Sequence, residues 1–162
     1  MDIIEIRWKG PFKLEEIKKL NGATDYGIYQ IYGTHNIFGP DALLYIGQAN
    51  EQAFGVRIPQ HNDWINAESS VVDVYIGKLG GIDKISNNKW AGMINRAEKL
   101  LVYFCSPLYN SQYLAGYGQM DDTIVLNYYQ KKMLPFEVST FWDKSKALTK
   151  EWKEFRYGRG KG

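Results

Sequence analysis

Residues 25–33, DYGIYQIYG, and residues 43–49, LLYIGQA, decide how this chain is read. Both runs are rich in Ile, Leu and Tyr, which suit a pleated, half-buried strand. Between them residues 34–42, THNIFGPDA, are full of turn formers. The pattern predicts two strands, Tyr26–Gly33 and Ala42–Gly47, joined as a hairpin with a longer loop. Tyr29 and Tyr45 then project from neighbouring strands towards one spot.

Other elements follow outward from this hairpin. Ile3 to Trp8 alternates as a short strand, and Gly10-Pro11 breaks it. Phe12 to Leu20 spaces Leu14, Ile17 and Leu20 as a short amphipathic helix does. Asn50 to Asn66 predicts a helix that begins near Gly55 or Val56, because Pro59 is tolerated only in a first turn or at a kink. Arg57 and His61 are four apart, so they share a helix face. Val71 to Leu79 reads as a strand. Trp90 to Phe104 is the strongest helix, with Met93, Ile94, Ala97, Leu100, Leu101 and Phe104 in helical register. Thr123–Tyr129 and Leu134–Phe141 predict a second hairpin. Lys144–Phe155 predicts a closing helix, followed by the basic, Gly-rich tail Arg156–Gly162.

Composition sets limits on function. A chain of 162 residues holds one domain with a real core, and we expect a single domain over residues 1–162. Net charge is only +2, so any nucleic-acid surface must be local. Aromatic residues make up 15%, with twelve tyrosines, which suit strands and also stack on bases. One cysteine, Cys105, excludes a disulfide within the chain and a Cys-based zinc finger. The N-terminal MDIIEIRWKG has no charged region followed by an apolar one, and no apolar run reaches a membrane span. The expectation is a soluble, intracellular, cytoplasmic protein.

Six residues are candidates for chemistry. Tyr29 and Tyr45 carry hydroxyls that can hydrogen-bond a phosphate or a water; taken singly, each reads as packing. Arg57 can grip phosphate oxygens through parallel donors, or simply solvate a helix. His61 can relay a proton near neutral pH. Glu98 sits beside Met93, Ile94, Ala97 and Leu101 on an apolar helix face, where a carboxylate needs a partner. Magnesium is one such partner, and a salt bridge to Arg96 or Lys99 is the other. Asn110 follows the helix end, as a turn residue or as a donor that fixes its neighbours. His35 lies in the predicted hairpin loop and receives no role.

Gly27-Ile28-Tyr29, Tyr45-Ile46-Gly47, Arg57, His61, Glu98 and Asn110 together resemble the GIY-YIG nuclease family in order, type and approximate spacing. The likeness spans residues 26–110, about half the chain. Pro59 departs from it, since the family pattern runs unbroken helix from the arginine to the histidine. The resemblance implies a small three-stranded antiparallel sheet, from the two hairpin strands and Val71–Leu79, flanked by helices. The N-terminal strand–helix and C-terminal hairpin–helix become extensions of that core. It implies a DNA endonuclease, restriction-type in the favoured reading, that hydrolyses phosphodiester bonds with one divalent ion, Mg²⁺ or Mn²⁺. In that scheme Glu98 is the metal ligand and Arg57 clamps the phosphate. Tyr29 positions or deprotonates water, with His61 as proton acceptor. Tyr45 bonds the phosphate or the water, Asn110 holds the site together, and Gly47 allows close backbone approach. Two readings compete with it: a catalytically silent nucleic-acid-binding module on the same fold, and an unrelated α/β protein with chance motifs. Neither oligomeric state nor the DNA recognised is legible.

Overall fold

A computed structural model describes residues 1–61, 65, 71–80 and 87–141. The hairpin forms as strands β2 (Gly27–His35) and β3 (Gly39–Ala49). Its loop is shorter than the turn-rich stretch suggested, because both strands extend into it. Tyr29 pairs with Gly47 and Ile31 with Tyr45. Strand β4 (Asp73–Leu79) pairs antiparallel on the other side of β2.

The sheet does not stop there. Strand β1 (Asp2–Phe12) pairs antiparallel with β4 and parallel with β5 (Thr123–Tyr129), and β5 pairs antiparallel with β6 (Glu137–Ser139). The result is one six-stranded mixed sheet in the order β3-β2-β4-β1-β5-β6, curled as a half-barrel. The expected small three-stranded sheet flanked by helices is therefore overturned. The physical reason lies in β1. Its Ile4, Ile6 and Trp8 are fully buried and both its edges are hydrogen-bonded, so it is an interior strand and no extension. Nor does β1 break at Gly10-Pro11; a shift of register between Lys9 and Phe12 absorbs them.

Helices are few among the described residues. Helix α1 (Leu14–Ile17) and helix α2 (Phe54–Arg57) are single turns. A 3₁₀ turn, Ile58–His61, continues α2 through Pro59, which has no N–H to extend an α-helical ladder. Helix α3 (Asn87–Cys105) is the long one. The expected closing helix Lys144–Phe155, the tail Arg156–Gly162 and residues 62–64 and 66 of the expected Asn50–Asn66 helix lie outside the described residues. Among the described residues no helix is long and apolar enough to cross a membrane.

Strand alternation sorts the core into two layers. Ile28, Tyr32 and Ile46 pack with Ile94, Ala97, Leu100 and Leu101 of α3. Tyr29, Ile31 and Leu44 pack on the other face with Ile17, Phe54 and Ile58. Each fully buried Ile or Leu contributes roughly 1.5–3 kcal/mol by leaving water. Truncating Leu101 to Ala would cost roughly 2–5 kcal/mol and loosen α3 from the sheet.

Candidate functional site

The glycines of the two tripeptides have separate structural reasons. Gly27 adopts φ +149°, and a Cβ there would stand 2.1 Å from the Gly77 carbonyl oxygen. Gly47 lies opposite Tyr29, and a Cβ there would stand 2.5 Å from the Tyr29 hydroxyl. Only a bare backbone lets the Tyr29 ring cross β3 to reach its partners. The Tyr29 and Tyr45 rings then stack with centroids 6.1 Å apart, and the His61 ring lies 4.7 Å from Tyr45. Tyr29 Oη and His61 Nε2 share a 2.7 Å hydrogen bond.

Asn110 is held by backbone at both ends of its amide. Ile46 N–H donates to Asn110 Oδ1 at 3.0 Å, and Asn110 Nδ2 donates to the Ile46 carbonyl at 2.8 Å. Tyr109 N–H also donates to the Leu44 carbonyl at 2.8 Å. This segment thus occupies the hydrogen-bonding edge of β3, which the sheet leaves open. It ties the turn after α3 to the second tripeptide, so α3 and β3 hold fixed positions relative to each other.

Four of the six predicted residues, Tyr45, Arg57, Glu98 and Asn110, line one polar cavity of about 670 Å³. Tyr29 and His61 do not line it. Tyr29 is fully buried and forms its bonded pair with His61 behind Tyr45. The expectation that Arg57 and His61 share a helix face fails because the helix tightens to 3₁₀ at Ile58–His61. Arg57 faces the cavity and donates to Gln60 Oε1 at 3.0 Å, whereas His61 turns to Tyr29.

Glu98 is only 8% exposed, yet among the described residues its carboxylate has no ion pair and no hydrogen bond. Both expected salt-bridge partners are engaged elsewhere. Arg96 pairs with Asp2 at 2.7 Å, and the Lys99 ammonium lies over the Tyr113 ring, 5.3 Å from its centroid. Burial pushes the Glu98 carboxyl up to about 7, against the opposing pull of Arg57 and Lys99. Burial drives the His61 imidazolium down to about 4, and the Arg57 charge adds to this, so the ring is neutral at pH 7. Burial also raises both phenols, most at Tyr29, with Arg57 opposing.

Sequence reading missed Asn95. It lies one turn before Glu98 on α3, lines the same cavity, and its Oδ1 is buried without a hydrogen-bond partner. Its spacing of three from Glu98 was the available signal. Glu51 and Gln112 also line the cavity and were unassigned. A hard divalent cation takes oxygen ligands and uses one or two carboxylates, completed by water and phosphate. The Glu98 carboxylate, with an orphaned amide oxygen beside it, fits that demand. Among the described residues no group of three or more His, Cys, Asp or Glu gathers, so a site needing a full set of such ligands does not form. Compared with family models, curated proteins and solved structures, the chain matches none.

Proposed function

We propose that this chain is a metal-dependent DNA endonuclease of the GIY-YIG kind, and that the cavity around Glu98 is its active site. One observation carries the reading: a buried carboxylate without a described partner shares a polar cavity with Arg57, Tyr45 and a backbone-clamped Asn110. An unpaired buried charge is costly to keep for structure alone. A cation at that place relieves the cost.

Hydrolysis of a phosphodiester places growing negative charge on the phosphoryl oxygens and on the leaving oxygen. Arg57 offers parallel N–H donors to the phosphoryl oxygens. Tyr45, the phenol on the cavity wall, donates its hydroxyl to a phosphate oxygen or orients the attacking water. Tyr29 stays protonated, because burial opposes the phenolate. It therefore acts as a positioning residue: its hydrogen bond to the neutral His61 ring fixes that ring against Tyr45, and the pair sets where the Tyr45 hydroxyl stands on the cavity wall. Glu98 would hold a magnesium or manganese ion, which when bound supplies Lewis-acid stabilisation of the leaving oxygen. Asn110 keeps Tyr45 and Glu98 in register by fixing Ile46 to the turn after α3.

A second reading, nucleic-acid binding without cleavage on the same fold, is favoured by one feature: the Tyr29 hydroxyl is enclosed and bonded away from the cavity. One experiment separates the two. Supercoiled plasmid incubated with purified protein and Mg²⁺ should be nicked or linearised, and chelator should stop it. Retention of plasmid in a mobility shift with no cut under either condition would decide for the silent module.

A further inference from the structure

A second cavity of about 540 Å³ lies beside the first, lined by Ala23, Tyr26, Asn50, Glu51 and Trp90. Asn50 and Glu51 line both, so the two are contiguous. Three element ends build it: Tyr26 immediately precedes β2, Asn50 and Glu51 directly follow β3, and Trp90 stands in the first turn of α3. The Tyr26 and Trp90 rings have centroids 6.0 Å apart and are tilted by 58°. Both residues are half-buried, and Trp90 also packs against the core, so one part of its indole is anchored while another faces the cavity.

Placement relative to the first cavity is set by element geometry. Trp90 and Glu98 are eight residues apart on α3, about 12 Å along its axis. Tyr26 and Tyr29 are three apart on the chain entering β2, about 10 Å when extended. Those distances amount to a few nucleotides of DNA, which rises about 3.4 Å per nucleotide when stacked. A base inside a duplex is covered by its neighbours on both faces and cannot reach a side cavity. Only an unpaired or extruded base can enter.

We propose that this second cavity receives one unpaired nucleobase next to the cleaved phosphate. The base stacks on Tyr26 and Trp90, and Asn50 and Glu51 meet its polar edge. This makes the substrate a DNA with an unstacked nucleotide beside the scissile bond, such as a flap, a bulge or a single-stranded end. The proposal rests on the nuclease reading of the neighbouring site. Every base has a π-face, so stacking accepts all four. The Glu51 carboxylate accepts hydrogen bonds only, so it favours a base with an exocyclic amine, guanine, cytosine or adenine, over thymine, whose edge offers a single ring N–H. Asn50 is anchored for this task by donating to Gln48 Oε1 at 3.0 Å.

The test uses duplex oligonucleotides with one unpaired 2-aminopurine at successive positions, titrated with the full chain in chelator so that nothing is cut. At one position its emission should fall as it stacks on the protein, and that duplex should bind about ten-fold tighter than the fully paired one. Tyr26→Ala should lose both effects, and Trp90→Phe, which keeps a ring, should retain most of them. If melting shows Tyr26→Ala unfolded, Tyr26→Leu fills the space without a π-face and takes its place. Glu51→Ala should reduce the preference for cytosine or adenine over thymine at that position. Emission unchanged at every position, or a fall in emission as large with the Tyr26 variant as with wild type, would overturn the proposal. Cleavage of the same duplexes once Mg²⁺ replaces the chelator reports separately on the neighbouring site. Stacking without any cleavage keeps the base cavity and removes the nuclease; cleavage without stacking does the reverse.

Discussion

Tyr29 and Tyr32 lie three residues apart on β2, and each belongs to an aromatic cluster on opposite faces of the sheet. Tyr32 meets the Tyr75 ring edge-on at 5.5 Å and donates its hydroxyl to Gln30 Oε1 at 2.6 Å. Lys132 covers both rings, 4.9 and 5.6 Å from their centroids, and pairs with Asp41. Tyr29 stacks beside Tyr45 and bonds His61, next to the Glu98 carboxylate. The two clusters share their ingredients: two phenols and a titratable charge. They differ in whether the charge is matched. In the Tyr32 cluster the ammonium has its carboxylate and its rings. In the Tyr29 cluster the carboxylate is buried with no described partner. Unmatched charge, not aromatic content, separates a candidate site from packing.

The largest effect that would sharpen this contrast is on cleavage. Glu98→Gln keeps shape and removes the charge, so turnover should fall by about 10³-fold or more while the fold survives. Gel assays of plasmid nicking, with circular dichroism of the same sample, check it. Full nicking by Glu98→Gln would break the comparison at its root.

The hydroxyls come next. Tyr45→Phe and Tyr29→Phe should each lower the single-turnover rate by about 10²-fold, since a general acid–base or orienting group is removed while packing is kept. Tyr32→Phe should change it by no more than about two-fold, because its hydroxyl reaches Gln30 and the Met133 backbone and does not line the Glu98 cavity. A larger loss for Tyr32→Phe than for Tyr29→Phe would mean that the cleaving face of β2 is the α3 face.

Unmatched charge should also be visible without any substrate. Glu98 is shifted from 4.5 to about 7, so the folded state binds its proton more tightly than the unfolded state. Stability from this group therefore falls as pH rises from 4.5 to 7 and stays low above. His61 is shifted from 6.5 to about 4, so the unfolded state binds its proton more tightly. Stability from this group is present above 6.5 and is lost as pH falls towards 4. Between pH 4.5 and 6.5 the two slopes oppose each other. Metal-free wild type should melt at a nearly constant temperature across that window. Glu98→Gln should be roughly 1–3 kcal/mol more stable than wild type at pH 8, with the gain vanishing below pH 4.5. Its melting temperature should then fall on acidification, because the His61 slope is left alone. A pH series by calorimetry decides it, and a Glu98→Gln no more stable than wild type at pH 8 would show that Glu98 is matched after all.

Much of the site was legible because it rests on short-range periodicities. A period of two put Tyr29 and Tyr32 on opposite faces of β2, and a period near 3.6 put Glu98 beside Ile94, Ala97 and Leu101. What failed was long-range. Strand alternation in β1 says that a strand exists, and nothing about whether β4 and β5 will lie on both sides of it. The hairpin loop misled because Gly39 and Pro40 look like turn formers but here begin β3, where a shift of register between the Gly33–Ala42 and His35–Gly39 pairs absorbs them. Pro59 was read as a helix defect, but its outcome, Arg57 and His61 on separate errands, needed the geometry of the 3₁₀ turn. Asn95 was missed because its spacing of three from Glu98 places it near that carboxylate but does not show that its amide oxygen is unpaired.

The smallest expected effect concerns the matched cluster. Lys131 and Lys132 between β5 and β6 are attractive phosphate contacts by sequence, since they stand together in a turn. In the fold, Lys131 Nζ donates to the Leu134 carbonyl, and Lys132 is spent on Asp41 and the two tyrosine rings. Moving Lys132 to a phosphate would break an ion pair and a cation–π contact, which offsets what the phosphate contributes. Lys132→Ala should therefore cost about 1 kcal/mol of stability in denaturant melts. It should leave the slope of log affinity for DNA against log salt unchanged to within about half a unit, because no counterion-releasing contact is lost. A slope shallower by about one, with stability untouched, would show that Lys132 leaves the rings for the DNA backbone. In that case the matched cluster is also a binding surface, and the line drawn between the two faces of β2 is one of chemistry performed and not of ligand touched.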